Sequence, residues 1–174
     1  MRIVVMGVVL IIGVLLETTM VSRIAIFGVA PDLMLSMIVS YSILRGETEG
    51  ALAGFTGGLL MDVALGQAMG LFAMLGLLIG YFVGKPFRDF YRESYMLPLF
   101  TTGVAALFCG FVLYMFNTLT IAYVGLLTHL GTVILPITIY TMIASIAVYR
   151  VLYTVNHLIE LYEKRRHKIF NKSS

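Results

Sequence analysis

The chain has 174 residues, of which 60% are hydrophobic and only 12% charged, with a formal net charge of +3. A soluble domain carries about 25% charged residues, and a water-soluble fold of this length has no core able to hide so much apolar surface. The mean hydropathy of +0.97 agrees, so the expected solvent is lipid and a soluble enzyme is excluded.

About 20 apolar residues cross the hydrocarbon. Span 1 is Ile3 to Val21, broken only by Glu17 and two threonines. Arg2 and the apolar run resemble a signal sequence, but no small-x-small cleavage site follows, so a retained first span is expected. Span 2 runs from near Ala25 to Leu44. Pro31 suits its first helical turn and Asp32 the positive end of its dipole.

A hydrophilic break, Arg45 to Gly50, leads to spans 3 (Ala51 to Gly66) and 4 (Gly70 to Gly84). Each reaches only about 22–24 Å, short of the hydrocarbon core. They either cross with help from flanking residues or form a re-entrant hairpin, and both return the chain to the side it left. A basic, aromatic loop, Lys85 to Glu93, precedes span 5, Tyr95 to Phe116. Asn117 to Leu130 reads as interfacial. Span 6 is Gly131 to Tyr149, kinked at Pro136. The expected organisation is a six-span membrane domain over residues 1–150 and a cytoplasmic, amphipathic, basic tail over 151–174. In that tail Val151, Val155, Leu158, Ile159 and Tyr162 share one face.

Orientation follows from Lys and Arg. With the N-terminus in the cytoplasm and six crossings, the 12 basic residues divide 11 to 1, with Arg23 alone outside. Both termini are therefore expected inside. The tail residues Lys164, Arg165, Arg166 and Lys168 read as a patch for the anionic inner leaflet rather than for nucleic acid.

Gly50, Gly54 and Gly58 recur every four residues, as do Gly76, Gly80 and Gly84. Small residues let helix backbones approach in lipid. Packing of spans 3 and 4 on each other is the favoured use, and a partner-binding face the other. Thr138, Thr141 and Ser145 form a small polar stripe on span 6, suited to helix packing. Carboxylates within spans are costly and often mark function. Glu17, Asp32 and Asp62 all fall in the outer half, on the side of Arg23, Gln67 and His129. One reading is an outward polar cluster, with Arg23 as counter-ion for one carboxylate. For Glu17 and Asp32 the favoured reading is the bland one, a place in the wet headgroup zone. Asp62, flanked by Leu59, Leu60, Met61, Val63 and Leu65, has either a functional or fold-locking role or, as evenly weighed, no special one.

Catalytic, cofactor-binding and metal-binding constellations are not found. His129, His157 and His167 are dispersed, and Cys109 reads as a core residue. Nucleophile elbow, phosphate loop and dinucleotide fingerprint are all missing.

Pro31-Asp32-Leu33, Arg45-Gly46 and the run Gly54-Phe55-Thr56-Gly57-Gly58-Leu59-Leu60-Met61-Asp62 stand in one stretch. With Gly66, Gly70-Leu71 and Gly80-Tyr81 after that aspartate, the stretch resembles the rod shape-determining MreD family. The resemblance implies a non-catalytic, cofactor-free scaffold in the bacterial cytoplasmic membrane. It implies binding to the bitopic protein MreC. It also implies work beside MreB, RodA and a class B penicillin-binding protein in lateral peptidoglycan synthesis. The implied fold is an all-α polytopic one like the substrate-binding S-component of energy-coupling-factor transporters. A vitamin-type binding subunit of such a transporter is the competing function, with the polar cluster as its pocket. Candidate structural or partner-contact residues are Glu17, Arg23, Asp32, Gly54, Gly58, Asp62, Gly70 and Gly80.

Overall fold

The computed structural model of the chain describes residues 2–24, 29–66, 70–85, 96–120 and 125–170, with side chains over 6–19, 29–66, 70–85, 96–118 and 125–157. These residues are helical, with no strand among them. The basic loop after Lys85, Gln67, and the side chains of Arg23, Lys164, Arg165, Arg166 and Lys168 lie outside the described residues.

Helix α1, Arg2–Ile24, runs unbroken through Glu17. Thr18 Oγ1 donates to the Val14 carbonyl at 2.8 Å, so its hydroxyl is satisfied within the helix. Helix α2, Leu33–Arg45, starts later than expected. Pro31 lies before its first turn, and the N-cap is Asp32, whose Oδ1 accepts the Leu35 N–H at 2.7 Å. The hydrophilic break proves almost wholly helical. Only Gly46 separates α2 from α3, Glu47–Leu65. A one-residue joint needs a sharp reversal, and Gly46 supplies it at φ 90°. Glu47 and Glu49 then occupy the first turn of α3, where negative charge suits the helix dipole.

Helix α4 is Leu71–Gly84 and α5 is Met96–Thr120. The segment read as interfacial is split, because α5 continues to Thr120 and helix resumes in the short α6, Leu126–His129. A π-helical turn, Leu130–Ile134, joins α6 to α7, Leu135–Phe170. Pro136 follows directly. It has no N–H to donate and its ring crowds the preceding turn, so a wider turn upstream relieves the clash. The Leu135 N–H accordingly reaches back five residues, to the Leu130 carbonyl.

Helix α2 is the hub and packs on α1, α3, α4, α5 and α7. One side carries Leu35, Val39 and Ile43 against Leu75, Ile79, Ala105 and Tyr149. The other carries Met34 and Ile38 against Leu10 and Ala53. Ser36, Ser40 and Ser42 are wholly buried. Thr141 fastens α7 to the start of α2, since its Oγ1 accepts the Asp32 N–H at 3.0 Å. Helix α7 passes Arg150 without a break, so the expected tail boundary matches no break in structure. Its packed side continues through Tyr149, Leu152 and Asn156, while Val151 is 63% exposed. Of the face foreseen for the tail, Val151 is exposed, and the side chains of Leu158, Ile159 and Tyr162 lie outside the described residues.

Outward surfaces are apolar: Leu52, Val63, Phe82, Val104 and Ile143 are all exposed. Two stretches, Met96–Thr118 and Leu126–His157, are long and apolar enough to cross a membrane. Met6–Thr19, Leu33–Arg45 and Leu71–Gly84 are shorter apolar helices.

Among the described helices, α3 and α4 make the most extensive pairing. A Cβ built on Gly54 would collide with the Gly76 carbonyl, one on Gly76 with Gly54, one on Gly80 with Gly50, and one on Gly58 with Phe72. Gly84 faces Gly46 and Glu47 in the same way. Each obstacle is main chain, so no rotamer change can yield. Gly54→Ala and Gly80→Ala should each cost about 1–3 kcal/mol or more by overpacking. Gly7→Ala, with nothing within 4 Å of its Cβ, is the control and should be neutral or slightly stabilising. Melting temperatures in one detergent check this, and equal behaviour of the three variants would reject the backbone-contact account.

Candidate functional site

The two sets of carboxylates separate. Asp62 sits in the last turn of α3 and is 2% exposed. Its Oδ2 accepts the N–H groups of Gly70 at 3.0 Å and Ala73 at 3.1 Å, and its Oδ1 accepts that of Phe72 at 3.0 Å. These are donors at the start of α4, which has no capping side chain of its own because its N-cap is Gly70. Gly70 adopts φ 98°, a conformation costly for any other residue. Asp62 thus caps a neighbouring helix and brings negative charge to its positive end. Its own carbonyl accepts the Gly66 N–H at 3.1 Å and closes α3. One residue ends one helix and begins the next.

The glycine seam makes this possible. Gly54 meets Gly76 and Gly58 meets Phe72, so the next turn of α3 delivers Asp62 to the start of α4.

Glu17 and Asp32 meet elsewhere. They line a cavity of about 290 Å³ together with Cys109, Tyr114, Asn117 and His129. Glu17 Oε2 accepts the Met34 N–H at 3.0 Å, so α1 leans on the start of α2. The rings of Tyr114 and His129 lie 5.0 Å apart. The π-helical turn forms part of the same wall through Val133 and Ile134. Asp62 does not line this cavity, which corrects the expectation of one three-carboxylate cluster. The cause is the pull of the α4 N–H groups, which outcompete any shared polar site. Arg23, foreseen as counter-ion, has no described side chain.

Three lining residues of α5 were not foreseen as polar-site members: Cys109, Tyr114 and Asn117. A signal was present. Ala106, Cys109, Gly110, Leu113, Tyr114 and Asn117 recur at helical spacing and share one face of α5. At the far end of α2, Tyr41 Oη donates to Glu49 Oε2 at 3.2 Å, and Arg45 Nε lies 4.0 Å from the same oxygen. Among the described residues no group of three or more His, Cys, Asp or Glu side chains could hold a metal ion.

Asp62→Ala should cost about 3 kcal/mol or more, because three buried donors lose a charged acceptor. Asp62→Asn should cost less, since its one carbonyl oxygen still accepts while its amide group faces an N–H. Denaturation midpoints in detergent, ordered wild type above Asn above Ala, check the assignment. An alanine variant as stable as wild type would contradict it.

The family model for rod shape-determining protein MreD matches residues 1–159. No curated protein and no solved structure matches the chain. Coverage of nearly the whole chain includes both the Asp62 clasp and the Glu17–Asp32 cavity, and it settles the assignment: this chain belongs to the MreD family of rod shape-determining membrane proteins.

Proposed function

We propose that the protein is a non-catalytic scaffold that holds MreC in the bacterial cytoplasmic membrane. Through MreC it supports the elongation machinery of MreB, RodA and a class B penicillin-binding protein in lateral peptidoglycan synthesis. The family assignment carries the rod-shape role. The observation that favours a scaffold is the α3–α4 hairpin, whose special residues are spent on holding shape. Asp62 has its carboxylate committed to three N–H groups, and the glycines lie against backbone.

In this reading the chain crosses the membrane six times with both termini in the cytoplasm, arranged like an S-component. The division of basic residues supports the orientation. The seam from Gly46–Gly84 to Gly58–Phe72 supports a hairpin whose arms reach equal depth. Helices α2 and α4, with 13 and 14 residues, are about 20–21 Å long and need flanking residues or a locally thinned bilayer. Partner contacts use outer loops and lipid-facing ridges such as Phe100, Val104 and Phe108 on α5, all exposed beside an apolar groove of about 490 Å³.

Purification in mild detergent from the native host tests the reading. MreC should co-purify at constant ratio, with no small ligand. A bound vitamin, or an ATPase module in place of MreC, would replace the scaffold by a transporter subunit.

The tail, with Lys164, Arg165, Arg166 and Lys168, lies along the inner leaflet in the same reading. A peptide of residues 158–174 should bind vesicles containing anionic lipid. Changing Lys164, Arg165 and Arg166 to Gln removes about 1 kcal/mol per charge, so affinity should fall roughly 100-fold. Unchanged affinity would assign the basic cluster to a protein partner.

A further inference from the structure

The cavity between α1, α2, α5 and the π-helical turn has a wall chemistry that the scaffold role does not use. Two carboxylates, Glu17 and Asp32, face one space of about 290 Å³. Among the described lining residues there is no lysine or arginine, and His129 is the only basic side chain. Asp32 Oδ1 is held by the Leu35 N–H and Glu17 Oε2 by the Met34 N–H, which leaves each carboxylate a second oxygen. Most of the remaining wall is carbon, including Leu35, Met61, Phe72, Leu113 and Ile137.

That combination selects by charge and by shape. An anion is repelled by both carboxylates. A purely apolar guest leaves two acidic groups desolvated and uncompensated, which costs several kcal/mol. A bare divalent ion wants about six or more oxygen ligands, and two side-chain carboxylates in a carbon wall do not supply them. An ammonium group on a short apolar body meets both demands. It donates charge-assisted hydrogen bonds to the carboxylates while its carbon chain covers the apolar wall. The volume lies at the small end of ligand pockets, which start near about 300 Å³.

We propose that this cavity binds a protonated primary amine carried on a short apolar body, with Glu17 and Asp32 as its acceptors and His129 at its rim. The same ammonium chemistry is offered by a soluble alkylamine and by the headgroup of phosphatidylethanolamine. The site is separate from the scaffold reading, which survives whichever way this test falls.

The experiment uses the full chain in phosphatidylcholine nanodiscs. The probes are radiolabelled hexylammonium and, as a neutral match, hexanol. Cys109, which lines the cavity, serves as reporter through its rate of reaction with a small thiosulfonate. Hexylammonium should bind and slow labelling of Cys109, at concentrations about tenfold below those at which hexanol does so. Glu17→Gln and Asp32→Asn should each weaken amine binding about tenfold while leaving hexanol unchanged. Both replacements keep the acceptors for Met34 and Leu35, and asparagine is as good an N-cap as aspartate, so the fold is retained. Unchanged melting temperatures check that.

A second set of nanodiscs containing phosphatidylethanolamine separates the two sources. Native mass spectrometry that finds this lipid retained over phosphatidylcholine, and lost in the double variant, identifies the headgroup. Hexylammonium binding without such retention identifies a soluble amine. Equal binding of hexylammonium and hexanol overturns the proposal. So does wild-type amine affinity in both single variants, or a Cys109 that never reacts because the cavity has no entrance.

Discussion

Helices in hydrocarbon gain little by burying leucine against leucine, because lipid is already as apolar as leucine. What holds them is close contact and the satisfaction of polar groups. The α3–α4 pairing meets that constraint with main chain alone. Glycine carbonyls press on glycine carbons at Gly50–Gly80 and Gly54–Gly76, with no side chain between. Contacts of this kind are worth about 0.5–1 kcal/mol each, so the seam needs several in register. Four-residue spacing on both helices provides them. The Asp62 clasp then fixes the register, since a slip by one residue would move the carboxylate away from all three N–H groups of α4.

The rest of the molecule is arranged around that rigid pair. Helix α2 lies against it and has no lipid-facing side to speak of, so its buried serines do the work that glycines do in the seam. Ser36 lets α7 approach, its hydroxyl 3.5 Å from the Thr141 carbonyl, and Ser42 lies against Gly50 of α3. Ser42 returns its hydroxyl to the Ile38 carbonyl at 2.6 Å, and Ser36 bonds to the Asp32 carbonyl at 3.0 Å. Ser40 differs: its hydroxyl is buried and makes no hydrogen bond to any described residue. Thr141 serves assembly, because its oxygen accepts from the start of another helix.

Several of these features were legible in the sequence. The glycine spacing points to a close pairing of α3 and α4, because periodicity is a local property and needs no knowledge of the partner. A carboxylate among leucines announces a special role for Asp62. Which partner it finds was not legible, since that depends on the register between two helices and on a turn whose length in space is not written in any one residue. The same limit explains the mistaken grouping of Asp62 with Glu17 and Asp32. All three were placed by depth along a span, which fixes height in the bilayer but not the direction around the helix. Pro31 was expected in the first helical turn of span 2 and lies before it, and Pro136 was expected to kink span 6. Their consequences, a late start for α2 and a π-helical turn before α7, come from packing.

Helix α5 shows where stiffness ends. It packs on α7 and α2 but barely touches α4, and the gap between α4 and α5 is the apolar groove. Its other face closes the cavity that holds Glu17 and Asp32. A helix bounded by a groove on one side and a cavity on the other has fewer neighbours to displace than α2 or α3. A membrane partner exchanges lipid for protein with no net hydrophobic gain, so it binds best where the exchange costs least packing within the host. Under the proposed scaffold function, backbone contact between α3 and α4 and the loosely bordered α5 would therefore divide the labour: the first keeps the shape constant, and the second is where another helix, or a lipid, costs the host least packing.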